Sequence, residues 1–198
     1  MLGGSHAVQS MHAHRHPARP PKGSARSHPS GIRQYGGMPL HLRESVRALV
    51  LDPDDSVLLV HFDWPGLGIS GGFWATPGGG VEPGETRLEA LQRELREEIG
   101  LEIGTLGPEV WTLNGVFEMG EWDGQIDHVH LCRTDHFEPS PSFSAAQLKA
   151  ENVHEIRWWS TEEIESGAAT FGPARLPGIL RELREGGTPE TPVILDGF

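Results

Sequence analysis

A glycine-rich loop that leads directly into a carboxylate-rich helix is the feature that most constrains this 198-residue chain. The stretch covers residues 79–101. Thr86, with Glu89 three residues later, matches the capping-box pattern that begins a helix, and Gly100 is a typical helix stop. The pattern therefore predicts a loop followed by a helix that runs between Thr86 and Gly100.

At about 100° per residue, this helix has two distinct edges. One edge is apolar and should face a core. Its residues are Leu88, Leu91, Leu95 and Ile99. Glu94, Glu97 and Glu98 share the neighbouring edge, where like charges four residues apart repel each other. A cation would relieve this repulsion, and hard cations such as Mg²⁺ prefer oxygen ligands. A metal site is therefore predicted here, with a solvated charged face as the alternative.

The stretch resembles the Nudix box. That pattern is a glycine, five residues, a glutamate, seven residues, Arg-Glu, an aliphatic residue, any residue, Glu-Glu, any residue, a glycine and an aliphatic residue. Every defined position is filled, and the residues that fill them are Gly79, Glu85, Arg93, Glu94, Leu95, Glu97, Glu98, Gly100 and Leu101. The resemblance continues more loosely over about residues 43–184 and does not cover the first forty residues.

The resemblance implies an α/β (α+β) fold of the Nudix type, which is an α/β/α sandwich with a mixed β-sheet. The elements predicted along the chain agree, because strands and helices alternate irregularly and hairpins occur. The predicted strands are residues 43–51, 57–62, 110–117, 125–133 and 153–159, and the predicted helices besides the box helix are residues 160–166 and 173–185. Residues 134–152 are predicted to form a long polar loop.

The resemblance also implies hydrolysis of a phosphoanhydride bond with Mg²⁺ or Mn²⁺ as the cofactor. It implies that Glu94, Glu97 and Glu98 coordinate the metal, together with the main-chain carbonyl of Gly78. One box glutamate, or a residue in a distal loop, would remove a proton from the attacking water. Glu94 is the first choice for this base, although a ligand role is nearly as well supported.

Two predictions concern residues around these glutamates. Arg93 is expected to orient them, paired with Glu85 by a bidentate interaction. A further metal carboxylate outside the box is common in this family, and Asp127 is the first candidate because an acid in mid-strand is unusual. The alternative is an ordinary surface acid. The rival carboxylates are Glu118, Glu121 and Glu151.

The expected substrate is a small nucleotide, either a nucleoside di- or triphosphate or a nucleoside diphosphate derivative. A nucleobase favours an aromatic platform. The aromatic residues near the predicted cleft are Phe62, Phe73, Trp74, Trp111, Phe117 and Trp122. Two alternatives share the fold. One is a non-catalytic ligand-sensing module, and the other is an enzyme of the isopentenyl-diphosphate-isomerase type. The intact box disfavours both.

The composition limits the partners and the compartment. Net charge is −12, and the five basic residues of 1–37 are accompanied by no acid, so the remainder is more acidic still. Such a surface argues against non-specific binding of duplex nucleic acid. The chain has no apolar run long enough to span a membrane. Cys132 is the single cysteine, so no intrachain disulfide can form, and a cytoplasmic location is expected. The oligomeric state stays open, with a homodimer among the options.

The predicted domain organisation has three parts. Residues 1–38 form a basic tail rich in His, Pro and Gly, and residues 39–187 form the Nudix domain. Residues 188–198 form a C-terminal tail rich in Gly and Pro. The first tail has almost no apolar residues to bury, so it is predicted to be disordered.

Deletion of residues 1–37 should leave the melting temperature and turnover unchanged, because this segment cannot contribute to a core. Thermal unfolding of the truncated and full-length chains, side by side with their rates of hydrolysis, checks this prediction. A large loss of thermal stability on truncation would contradict the disorder prediction.

Overall fold

The computed structural model describes residues 34–35, 38–63, 69–119 and 122–196. The predicted disordered tail therefore lies outside the described residues, apart from Gln34–Tyr35 (β1) and Met38. This strand pairs antiparallel with Met38–Pro39 (β2) in the unit that precedes His41. Among the described residues, no helix is long and apolar enough to cross a membrane.

From His41 onward, the described residues form one mixed sheet flanked by helices, which confirms the predicted fold class. The strands of the sheet are β3 (Leu42–Leu51), β4 (Val57–Phe62), β5 (Phe73–Ala75), β6 (Gly78–Gly80), β7 (Glu109–Met119), β8 (Trp122–Arg133), β9 (Val153–Trp159), β10 (Phe171–Gly172) and β11 (Val193–Asp196). The helices are α1 (Arg87–Glu98), α2 (Ala145–Ala150), α3 (Thr161–Glu165) and α4 (Leu176–Gly186). β3 pairs parallel with β8 and antiparallel with β4 and β6.

Alternation along the central strands produces two apolar clusters, one for each face of the sheet. In β8, Val129 and Leu131 belong to the cluster that α4 covers. Cys132 packs against the cluster that α1 covers, together with Leu91 and Leu95. The central sheet thus separates two helical layers, as the predicted sandwich requires.

The sheet opens where β3 changes its partner. Val50 and Leu51 pair with β4, whereas Ser45, Val46 and Arg47 pair with β6. Beyond this point β4 continues with β5 and β9 as its neighbours. The two halves of the sheet therefore diverge, and the cavity described below lies at this divergence.

Several short elements differ from the sequence-based prediction, and β5 and β6, which were not predicted as strands, are two of them. The long polar loop contains α2, whose capping box joins Ser144 and Gln147. α2 has no buried residue, so it lacks the apolar stripe that identifies a helix in a sequence. β10 and β11 were not predicted because they are short and flanked by Gly and Pro. Each joins the sheet in parallel, β10 next to β5 and β11 next to β7.

Asp52 organises the turn between β3 and β4. Its Oδ1 accepts hydrogen bonds from the main-chain N–H of Asp54 at 2.9 Å and of Ser56 at 2.8 Å. Its Oδ2 lies 2.8 Å from Nδ1 of His136. Burial raises the pKa of Asp52, but these hydrogen bonds outweigh burial and hold the pKa below its ordinary value.

Asp52→Ala should lower the free energy of unfolding at neutral pH by about 1–3 kcal/mol, because the main-chain N–H groups of Asp54 and Ser56 lose their charged acceptor. The pKa of Asp52 is lower in the folded state than in the unfolded state. The stabilisation that the ionised carboxylate contributes is therefore fully present above the unfolded-state pKa of about 3.9. It is lost as the pH falls through the folded-state value. Urea unfolding between pH 3 and pH 7 measures both effects, with the exposed Asp54→Ala as the matched control. Equal losses for the two variants would contradict this role of Asp52.

Candidate active site

A cavity of about 290 Å³ lies at the divergence of the sheet. One wall is the acidic edge of α1, and Glu94, Glu97 and Glu98 all line it. Arg43 and Arg47 of β3 line it as well. Segments that are distant in sequence therefore meet at one polar cavity, and both signs of charge are present.

The sequence of α1 explains why its acidic edge faces the cavity. Thr86 and Glu89 form a complete capping box, which begins the helix at the predicted place. Leu91 and Leu95 are fully buried against the sheet and fix the rotation of the helix. The angular prediction from the sequence and the observed orientation agree.

The glycines before the helix form a strand, not the open loop that the sequence suggested. Gly78–Gly80 pairs with β3 along Ser45, Val46 and Arg47. A side chain at Gly78 would collide with the main chain of β3, and Gly78 has a φ of +126°. The absence of side chains therefore lets β6 approach β3 closely enough to form one border of the cavity.

Arg93 joins the start of the box to its helix. Its Nε and Nη2 donate to the two carboxylate oxygens of Glu85 at 2.9 and 3.0 Å, which is the predicted bidentate pair. Its Nη1 donates to Oε1 of Glu94 at 2.8 Å and lies 3.5 Å from Glu97. The Arg93 hydrogen bond lowers the pKa of Glu85 to about 2. The same pairing raises the pKa of Arg93.

Glu98 is the most buried of the three box glutamates. Its side chain accepts a hydrogen bond from the main-chain N–H of Gly78 at 2.8 Å. Burial, followed by repulsion from Glu94, raises the pKa of Glu98 to about 8 despite this bond. Burial likewise raises the pKa of Glu94. For Glu94, the effect of burial on the pKa outweighs that of the nearby Arg93 and Arg47. For Glu98, it outweighs that of Arg47.

These residues fit a divalent cation by their chemistry. Carboxylate oxygens are the ligands that Mg²⁺ and Mn²⁺ prefer, and a cation would favour the ionised form of Glu94 and Glu98. In the described part of the chain, no three His, Cys, Asp or Glu side chains converge as ligands of one ion. Glu94 and Glu97 both pair with Arg93.

Asp127 has a different environment from the three glutamates. It is 4% exposed, and its Oδ1 accepts hydrogen bonds from Nε of Arg47 at 2.8 Å and from Nε2 of Gln125 at 2.6 Å. Arg47 and Gln125 line the cavity, and Asp127 lies behind them. Its role as a metal ligand stays a prediction. Of the rival carboxylates, Glu151 lines the cavity.

The structure places the other candidate residues in several environments. The side chain of Glu118, the side chain of Phe117 and the whole of Glu121 lie outside the described residues. Phe62 lines the cavity. The remaining candidate aromatics lie elsewhere: Phe73, Trp74 and Trp111 are buried in the core, and Trp122 stacks on His41.

Sequence reasoning missed several residues that line the cavity, namely Arg43, Arg47, Glu82, Gln125, Phe143 and Leu148. One signal was available, because Arg47 lies between Val46 and the apolar run from Ala48 to Leu51. Phe143 and Leu148 carried no signal, since the fold of the 134–152 segment decides where they point.

Gly79→Ala should reduce turnover of a phosphoanhydride substrate by about 10- to 100-fold, because small displacements of catalytic groups carry losses of this size. A methyl group at residue 79 would lie 2.5 Å from Oε1 of Glu94 and would displace this carboxylate. Stability should change little, since the displaced group is the end of a flexible side chain. Steady-state kinetics and thermal unfolding test both points. The matched control is Gly104→Ala, where a methyl group meets nothing within 4 Å. Unchanged turnover in the Gly79 variant would contradict the proposed placement of Glu94.

Comparisons with known proteins agree with this geometry. The profile of the NUDIX domain matches residues 41–183. The CTP pyrophosphohydrolase of Escherichia coli K12 is 34% identical over 118 residues, which cover 60% of this chain and 76% of that protein. The nucleoside triphosphatase NudI of E. coli K12 DH10B is 38% identical over 117 residues, or 57% of this chain and 82% of that protein.

A solved structure shares the fold. The crystal structure of a MutT protein from Methanosarcina mazei Go1 superposes with a TM-score of 0.55 at 23% identity, covering 76% of this chain and 98% of that one. Because the profile spans most of the chain and the box is complete, with its three helix glutamates lining the cavity, the chain belongs to the Nudix hydrolase family.

Proposed function

We propose that this chain is a divalent-metal-dependent hydrolase that cleaves a phosphoanhydride bond of a nucleoside di- or triphosphate or a nucleoside diphosphate derivative. The observation that carries the proposal is the placement of Glu94, Glu97 and Glu98 on one cavity wall beside the glycine strand β6. The names of two relatives, a CTP pyrophosphohydrolase and a nucleoside triphosphatase, support a nucleotide substrate.

In this proposal Glu94, Glu97 and Glu98 hold Mg²⁺ or Mn²⁺, with the carbonyl of Gly78 as a further ligand. Held by these residues, such an ion would supply charge neutralisation at the phosphate oxygens and would make the attacking water more acidic. Arg93 fixes the position of the glutamates relative to the start of the box through its ion pair with Glu85.

Glu94 suits the role of base. Arg93 contacts its Oε1, so Oε2 is the oxygen that can accept a proton from the attacking water. Burial raises the pKa of this carboxyl, which makes the ionised form a stronger base than an exposed glutamate. The same oxygen can alternatively serve as a metal ligand.

The leaving group is proposed to contact the segment that carries Phe143 and Leu148. Together with Phe62, these side chains supply the apolar part of the cavity lining. Main-chain N–H groups of Ser142 and Phe143 donate to carbonyls of Arg96 and Glu97 at the end of α1. The segment is thus attached to the catalytic helix. An apolar surface of this kind can contact the face of a nucleobase.

A panel of nucleotides assayed with Mg²⁺ and Mn²⁺, with products identified, tests the proposal. Glu97→Gln and Glu98→Gln should each lower kcat by about 100-fold or more, because loss of metal-derived charge stabilisation is worth several kcal/mol. Excess EDTA should abolish turnover. The exposed Glu102→Gln is the matched control and should retain activity.

Full turnover in excess EDTA, or unaltered product release by both glutamine variants, would contradict the mechanism. Tight nucleotide binding without release of any product would instead favour the ligand-sensing alternative.

A further inference from the structure

We propose that Arg47 binds the phosphate chain of the substrate and that Asp127 is a positioning residue that holds Arg47, not a metal ligand. This inference rests on the proposed function, because it assigns a role at the same cavity. It would give the site an anion-binding wall opposite the metal-binding wall.

Arg47 is held on two sides. Its Nε donates to Oδ1 of Asp127 at 2.8 Å, and its Nη1 donates to the main-chain carbonyl of Thr76 at 2.8 Å. The side chain is 16% exposed, and it lines the cavity. Its direction is therefore set before any substrate arrives, which reduces the entropy lost on binding.

Asp127 is in turn fixed by its own strand. Gln125 lies two residues earlier on the same face of β8 and donates to the same Oδ1 that receives Arg47. The parallel register of β3 and β8 places Asp127 opposite Ser45, two residues before Arg47 on the same strand face. This register brings the carboxylate to the base of the guanidinium group, so Asp127 orients Arg47 toward the cavity.

The remaining donors of Arg47 suit an anion. Among the described residues, the hydrogen bonds of its side chain use Nε and Nη1 and none uses Nη2. A planar guanidinium with free N–H groups binds phosphate oxygens in a fork geometry. Such an anion needs positive charge in this cavity, because the facing wall carries Glu94, Glu97 and Glu98. The alternative is that Arg47 serves only as a counter-charge for these glutamates.

Four variants separate these roles: Arg47→Gln, Arg47→Lys, Asp127→Asn and the double variant Arg47→Gln/Asp127→Asn. The readouts are KM and kcat for the best nucleotide of the panel, Kd for inorganic pyrophosphate by calorimetry, and Kd for Mn²⁺. The last two readouts do not depend on hydrolysis. Arg133→Gln is the control for loss of one positive charge, since Arg133 is exposed at the far end of β8.

Arg47→Gln should raise KM and the pyrophosphate Kd by about 10- to 100-fold, with a much smaller change in kcat. Asp127→Asn should raise both by about 3- to 10-fold and leave the Mn²⁺ Kd unchanged. KM and the pyrophosphate Kd of the double variant should not exceed those of Arg47→Gln, because Asp127 acts through Arg47. Arg47→Lys should fall between wild type and Arg47→Gln, since it keeps the charge and loses the fork.

Three results would overturn the inference. Weaker Mn²⁺ binding and a lower kcat at constant KM in Asp127→Asn would make Asp127 a metal ligand. Unchanged KM and pyrophosphate Kd in Arg47→Gln, with a lower melting temperature, would make Arg47 a structural counter-charge. If Arg47→Gln does not fold, a wild-type pyrophosphate Kd in Arg47→Lys would contradict phosphate binding through the forked guanidinium group. A panel without any hydrolysed nucleotide would refute the proposed function alone, because pyrophosphate binding still tests Arg47.

Discussion

The pairing of Arg93 with Glu85 is the interaction on which the site depends. It closes the start of the box onto α1, and the same guanidinium also contacts Glu94 and Glu97. Three carboxylates on one helix edge would otherwise repel one another. Arg93 offsets part of this repulsion.

The wall opposite α1 is built by the sheet. Because β3 leaves β4 and pairs with β6, the glycine strand and the arginines of β3 border the same cavity. The segment before α2 borders it from a third side. It is bound to the end of α1 by main-chain hydrogen bonds from Ser140, Ser142 and Phe143, which also satisfy carbonyls that a helix end leaves without partners. A shift of α1 would therefore be transmitted to the residues that contact the leaving group.

Charge in the cavity is arranged in two connected sets. Glu98 is buried and Glu94 is half-buried, and burial raises the pKa of each. Arg47 lies across from them, and Asp127 holds it from behind. A polyphosphate complexed with a divalent cation carries both signs of charge, so it can match both sets at once. This complementarity is the physical basis of the proposed nucleotide hydrolysis.

Local patterns in the sequence determined the box helix, its cap at Thr86, the Arg93–Glu85 pair and β9 with its bounds. The helix, its cap and the Arg93–Glu85 pair depend on residues a few positions apart in the chain, and β9 was recognised from its local run of strand-forming residues. Only the tertiary structure decided that Arg47 faces the glutamates and that Asp127 contacts Arg47, because strand register sets both. The same holds for β10 and β11, which are too short to form without their partner strands.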